Sequence, residues 1–423
     1  MTSSAKSLAK SFVKPPPYAS LARAVAILIG SGAAALAHAQ SNVTLYGIVD
    51  GGVGYASNVA SVTRAGTAGR PAVLTGATSY AFQSGTWQGS RWGIQGTEDL
   101  GGGRKALFRL ENGFNIGNGT ASQGGAEFGR HAYVGLQDKT YGTVTLGRQY
   151  DPLIDLVGSV GGTALLSGVG AHPGDVDNLD HSSRVNNSVK YRSPTWSGFT
   201  FGTMYGFGGQ PGTMGRQNTW GLAGQYANGP LTWGVGYSHA NNDKASATDT
   251  TIGTWAGSSE SAFASSINAG YASAKSRDII ATAMTYQFGN TTLGANYSHT
   301  EYSTGTYSRF TRTARFDTAG VLAMYRFAPA FRLGGGYSFT NVNAPAANAS
   351  GAKYHQFNLA AFYNLSRRTE LYALAGYQKA SGNTLDAYGN VIDATASVGD
   401  AANGMSSATQ SQTVVRLGVS HVF

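Results

Sequence analysis

Apolar and polar side chains alternate with a period of two along stretch after stretch of this chain, up to its last residue. Phe199, Phe201, Tyr205 and Phe207 interleave with Thr200, Gly202, Met204 and Gly206. Leu231, Trp233, Val235 and Tyr237 interleave with Thr232, Gly234, Gly236 and Ser238. Phe357, Leu359, Ala361, Tyr363 and Leu365 do the same with Gln356, Asn358, Ala360 and Asn364. In "SRWGIQGTEDLGGGRKALFRLENGF" (90–114) two runs flank a Gly-rich turn. Arg91 and Gln95, then Arg109 and Glu111, share one parity; Trp92 and Ile94, then Phe108, Leu110 and Phe114, share the other. Alternation sends successive side chains to opposite faces of a strand. No helical period of useful length interrupts it.

The pattern predicts sixteen strands, beginning near 43, 79, 105, 127, 141, 185, 196, 218, 231, 277, 291, 314, 331, 353, 369 and 412. Short connections such as "QDKTYG", "ANGP" and "FGN" alternate strictly with long ones at about 56–78, 118–126, 150–184, 208–217, 242–276, 302–313, 342–352 and 379–411. An antiparallel meander gathers the short turns at one end and the long loops at the other. With an even strand number, this predicts an all-β fold: a 16-stranded antiparallel transmembrane β-barrel with short periplasmic turns and long extracellular loops. Closure follows from the solvent, because an open sheet edge in lipid leaves N–H and C=O groups unpaired at several kcal/mol each. Sixteen strands leave an aqueous lumen. The outward rows are rich in Phe, Leu, Val, Tyr and Trp and the inward rows in Gly, Ser, Thr, Asn, Gln and Arg. An inside-out chain of this kind has no large apolar core to build.

Composition sharpens the picture. The 423 residues include 60 glycines and no cysteine, and only 12% are charged, about half the usual soluble fraction. Mean hydropathy is −0.17, a value that alone would read as soluble. At the N-terminus Lys6, Lys10, Lys14 and Arg23 precede an apolar run, Ala24 to Ala37, ending in "AHAQ". That predicts a secretory signal peptide over 1–39 and a single barrel domain over 40–423; the run is too short to span a bilayer. Beyond residue 39 there are 26 Lys+Arg against 21 Asp+Glu. The basic residues lie within strands and form no run, so no nucleic-acid partner is expected. Histidines show no metal spacing and no G-x-S-x-G elbow is present, so neither cofactor, metal nor enzymatic activity is expected. "HPGDVDNLDH" (172–181) crowds oxygen ligands but lacks the spacing of a Ca²⁺ loop and reads as a solvated loop.

"NVTLYGIVDGGVGY", "SRWGIQGTEDLGGGRKALFRLENGF", "FGRHAYVGLQDKTYGTVTLGRQYDPL", "VNNSVKYRSPTWSGFTFG" and the terminal H-x-F resemble the general porins of Gram-negative bacteria in their betaproteobacterial form. The resemblance covers essentially all of the chain beyond residue 39. It implies a homotrimeric diffusion channel in the outer membrane, in contact with outer-membrane lipid and lipopolysaccharide. Such a channel passes small hydrophilic solutes and ions, with the third long loop folded into the lumen. It further implies a constriction. Its basic wall would be Arg91, Arg109, Arg130, Arg148, Lys190 and Arg192, and Glu111 would be a wall carboxylate. Residues 150–183 hold five aspartates and no Lys or Arg, and Asp151 and Asp155 are expected to face the ladder. Where this family often carries a "PEFGG"-like acidic turn, this chain has "VGSVGG". Val134 also sits less easily: it falls on the inward parity if Arg130 does, a relaxation expected at a subunit contact. Phe423, ending an alternating strand, is expected to serve barrel closure and assembly. The long loops 242–276 and 379–411, rich in small residues, read as exposed surface and not as a plug. A substrate-specific channel and an adhesion barrel acting through its loops are the competing readings.

Overall fold

The computed structural model describes residues 42–244, 246, 263–400 and 405–423; the expected signal peptide lies outside them. The strands are β1 (Asn42–Arg64), β2 (Val73–Ser84), β3 (Arg91–Gly101), β4 (Arg104–Gly113), β5 (His131–Asp138), β6 (Gly142–Gln149), β7 (Val185–Arg192) and β8 (Phe199–Gly206). They continue with β9 (Thr219–Asn228), β10 (Leu231–Asn241), β11 (Ser276–Phe288), β12 (Thr291–Ser303), β13 (Ala314–Ala328), β14 (Phe331–Val342), β15 (Lys353–Asn364) and β16 (Thr369–Ser381). A small hairpin of β17 (Asn383–Leu385) and β18 (Val391–Asp393) precedes the last strand, β19 (Ser411–Val422). Seventeen strands form one antiparallel sheet that closes on itself through β1 and β19. β2 and β3 lie end to end against β1, on residues 51–64 and 42–48 respectively, so the barrel has sixteen staves.

Closure uses nine paired positions from Ile48↔Val422 to Ala56↔Val414. Phe423 adds a further exchange: its N–H donates to the Gly47 carbonyl at 3.0 Å and the Gly47 N–H to its carbonyl at 3.1 Å. The Phe423 ring occupies the space that a side chain at position 47 would need.

The outward rows carry exposed apolar groups, among them Val134, Leu146, Leu222, Leu359 and Leu417. Val134 faces outward with them. The parity conflict dissolves because β5 begins at His131, leaving Arg130 outside the ladder. The first long connection is shorter than expected, since β1 and β2 continue to Arg64 and from Val73. A bulge between Ala56 and Val59, with Asn58 at φ +56°, flips the parity there and hides the continuation from an alternation count.

The inner wall from β8 to β16 is not polar throughout. After β6 the chain turns inward, forms a short helix Pro152–Leu156 against β8–β10, and a second, Gly162–Leu166, against β12–β15. Leu153, Leu156, Val157, Val160 and Leu179 bury themselves on Ala223, Ile279, Ala281 and Ala283. Leu166 and Val169 pack with Leu322, Met324, Ala360 and Leu374. Glycine permits the approach: a Cβ at Gly234 would strike the Leu156 carbonyl, and one at Gly376 would strike Val398 and Val169.

The described parts of loops 242–276 and 379–411 also fold inward, against the expectation of exposed surface. Ile267, Tyr271 and Ala274 join Leu385 and Ala394 in one apolar cluster with wall residues Tyr302, Phe316 and Tyr354. Three inward glutamines fasten the loop backbones. Gln356 donates to the Ala171 carbonyl at 2.8 Å, Gln378 donates to the Ser397 carbonyl at 2.8 Å, and Gln412 accepts from the Val398 N–H at 2.9 Å. A core therefore exists, between infolded loops and one half of the barrel wall.

Candidate functional site

Filling the β8–β16 side leaves open space against β1 and β3–β7. A cavity of about 1250 Å³ lies there, with Arg91, Arg109, Arg130, Arg184, Lys190, Arg192, Glu111, Asp155, Asp180 and Asp400 on its lining. Six basic side chains thus face four carboxylates. The wall groups owe their common direction to strand register. Glu111 and Arg109 alternate on β4, opposite His131 and Tyr133 of β5, and Lys190 and Arg192 on β7 stand opposite Thr145 and Thr143 of β6. Arg91 opens β3 after the inward excursion 85–90, whose Trp87 reaches across to Phe362 with ring centres 4.4 Å apart.

Glu111 is the junction of the wall. Arg109 Nη2 lies 2.5 Å from one of its oxygens and Arg130 Nε 2.8 Å from the other. The Tyr46 hydroxyl donates to the same carboxylate at 2.9 Å and accepts from Arg109 Nε at 2.7 Å. Lys190 Nζ donates to Asp155 at 2.8 Å and to the Tyr150 carbonyl at 2.9 Å. Arg184 lies over the Tyr150 ring and donates to its hydroxyl at 2.9 Å, while His131 meets the same ring edge-on at 4.8 Å. Burial alone would raise the Tyr150 phenol; the Arg130 and Arg184 guanidiniums outweigh it and hold the group down to about 8.

Two expected members stand elsewhere. Arg148 lies off this cavity, on the outward row with Val144 and Leu146, donating to the Gly129 carbonyl and to Asn186. Asp151 is fully enclosed. It caps the helix Pro152–Leu156 by accepting from the Ile154 N–H at 2.9 Å and accepts from Ser238 at 3.0 Å. The cavity lining brings together Arg91, Arg109, Arg130, Lys190, Arg192, Glu111 and Asp155.

The segment 172–181 is also buried, not solvated. Asp177 holds His172 Nδ1 at 2.5 Å and accepts from Ser298, while Asp175 accepts from the Asp180 and Ser182 N–H groups. Burial and the neighbouring Asp175 raise the Asp180 carboxyl above its ordinary value, and it hydrogen-bonds Asp400 from the last long loop. Burial would raise Asp177 as well, but His172 outweighs it and its pKa is lowered. Sequence reading missed Tyr46, Tyr150, Asp180, Arg184 and Asp400. Tyr46 shares the inward parity of Ile48 and Asp50, and that was its one available signal. The others sit in irregular loops, where parity says nothing.

A sequence profile described as Gram-negative porin matches residues 24–383. An outer membrane porin protein of Bordetella pertussis is 30% identical over 380 residues, covering 82% of this chain and 92% of the relative. Outer membrane porin protein 32 of Delftia acidovorans is 29% identical over 95% of this chain and 98% of its own. Among solved structures, the anion-selective porin from Comamonas acidovorans superposes with a TM-score of 0.65 at 25% identity, covering 91% of this chain and all of that one. OmpF of Salmonella typhi shares the fold, with a TM-score of 0.56 at 15% identity.

Proposed function

The chain belongs to the Gram-negative porin family, and from that membership we propose that its off-centre cavity is the narrow section of an anion-preferring pore. It is a general diffusion porin of the outer membrane, through which small hydrophilic solutes pass down their gradients. The observation that carries the anion preference is the imbalance of the lining. Glu111 is shared by Arg109 and Arg130, and Asp155 is taken up by Lys190. Among the described residues, no ion pair joins Arg91 or Arg192 to a carboxylate, so their charge is left to act on passing ions. Guanidinium suits a crowded ladder because it keeps its charge beside its neighbours. A narrow, positively lined passage raises the local concentration of anions and lowers that of cations. The name of the Comamonas relative, an anion-selective porin, agrees with this reading. The carboxylates opposite the wall would add a transverse field that orients dipolar solutes. Passage needs no bond-making step, and the reading assigns the protein no enzymatic activity. Assembly as a homotrimer is part of the same proposal, on the family resemblance.

The test is single-channel recording in a planar bilayer with the reversal potential measured under a KCl gradient. Steps in groups of three, with a potential of the sign for chloride preference, are expected. The double variant R91S/R192S moves that potential toward zero. Cation preference in the parent protein overturns the anion reading. Negligible conductance from correctly folded barrels overturns the open pore and favours a barrel that acts through its loops.

A further inference from the structure

We propose that the inward excursion 85–90 is a strap that sets the size limit of the passage, fastened at its tip by Trp87 and separate from the infolded segment 150–184. The proposal rests on the open-pore reading above and deepens it.

Register shows why the strap exists. Ser84 pairs with Gly51 and Arg91 with Ile48, so β1 offers two positions, Val49 and Asp50, where the facing chain has six residues. Four residues more than the ladder can hold must leave the wall. Outward, they would set unpaired N–H and C=O groups in lipid. Irregular backbone at this depth is tolerated only where it is buried in protein or lines a water-filled cavity. All six residues lie on the cavity lining. The ladder is mended around them. The Gly85 N–H donates to the Asp50 carbonyl at 2.9 Å. The Ser90 hydroxyl donates to the same carbonyl at 2.9 Å and accepts from the Asp50 N–H at 3.0 Å.

The tip is held in place. The buried Asp50 carboxylate accepts from the Gln88 N–H at 3.1 Å with one oxygen and from the Tyr372 hydroxyl at 2.9 Å with the other. Trp87 lies against Phe362 of β15. Arg332 of β14 sits over both rings, 4.1 Å from the centre of Phe362 and 5.8 Å from that of Trp87. Glu370 of β16 fixes that guanidinium through two contacts, at 2.7 and 3.1 Å. An indole packed on a second ring beside a guanidinium gains from both the aromatic and the cation–π contact. The strap also touches the basic wall: a Cβ at Gly89 would lie 3.3 Å from Arg130 Nη1. It therefore runs from the arginine ladder to the β14–β16 side, and the open cross-section is what it leaves. Residues 86–89 (Thr, Trp, Gln, Gly) carry no charge. The strap governs size, while the ladder governs the sign of the ion preferred.

The experiment removes residues 86–89 from the full-length barrel. Gly85 and Ser90 then stand opposite Asp50 and Val49, with Ser84 and Arg91 in their present register, so the ladder can run straight. Single-channel conductance is recorded in planar bilayers, and liposome swelling is followed in neutral oligosaccharides of increasing length. The deletion is expected to raise the conductance and admit longer saccharides, with the sign of the reversal potential kept. A second variant leaves the backbone intact. The chain has no cysteine, so Gln88→Cys gives a single site for a thiol reagent. Coupling a bulky reagent there should remove most of the current. A folded deletion variant with the parent's conductance and saccharide limit overturns the proposal. So does undiminished current through labelled Gln88→Cys, whether or not the deletion variant folds. In a conducting parent, either result defeats the strap alone. A parent that carries no current and admits no sugar overturns the pore reading, and the strap with it.

Discussion

Two guanidiniums and a phenol converge on Glu111, whose side chain is 1% exposed. Replacing it by Gln removes the charge and keeps the shape. Arg109 and Arg130 then face each other across a neutral amide, and breaking a buried pair on one side costs about 3–5 kcal/mol. Glu111→Gln is therefore expected to unfold at lower temperature, followed by the shift from folded to unfolded mobility on a gel. The lumen also gains a positive charge, so its reversal potential should move further toward chloride. A variant with unchanged selectivity would place Glu111 outside the ion path. The alternation in "RLENGF" was enough to put Arg109 and Glu111 on one face. Arg130 could not be placed that way, because it stands one residue before its strand. Arg148 shows the opposite case: the family resemblance put it on the wall, whereas Thr143, Thr145 and Gln149 hold the inward row and leave Arg148 with Val144 and Leu146.

At the scale of elements, the infolded segment 150–184 separates two aspartates that the sequence presents as equals. Asp151 is a helix N-cap tied to Ser238 inside the wall packing, and Asp155, one turn on, reaches Lys190 at the cavity surface. Asn caps about as well as Asp, whereas Ala forfeits about 1 kcal/mol. Asp151→Asn should leave both conductance and reversal potential as in the parent, and Asp151→Ala should raise open-channel noise by loosening the segment. Asp155→Asn should shift the reversal potential toward chloride with little added noise. Equal shifts from Asp151→Asn and Asp155→Asn would refute the division of labour. The inward packing of the long loops was not legible from composition. Small residues permit mobility when exposed, but they equally permit two backbones to touch. Which happens depends on partners: Gln356 donates to the Ala171 carbonyl of the 150–184 segment, 185 residues away, and accepts from the Gly399 N–H of the last long loop, where Gln378 donates to Ser397.

The whole molecule divides its lumen by strand. The β8–β16 side is filled by loops on an apolar inner wall and the β1–β7 side stays open and basic, so the electrostatics of passage are set by one cluster. Within it the guanidiniums keep their protons at any accessible pH, and the groups that change are those on the loop side. Tyr150 is held down to about 8 by Arg130 and Arg184, against the effect of its burial. Asp180 is raised by burial and by Asp175. Both gain a negative charge as pH rises, Tyr150 in the window from about 7 to about 9. The direction is therefore fixed: chloride preference should fall as pH is taken from 7 to 9, with the barrel itself intact. Tyr150→Phe keeps the ring beneath Arg184 and removes the proton, so it should lose the part of the fall centred near 8. Tyr150→Phe combined with Asp180→Asn should flatten the profile over that range. A parent protein whose reversal potential is constant from pH 7 to 9 would show that ions pass beyond reach of Tyr150. The conducting path would then have to lie nearer β1 and β3, beside Tyr46 and Arg91.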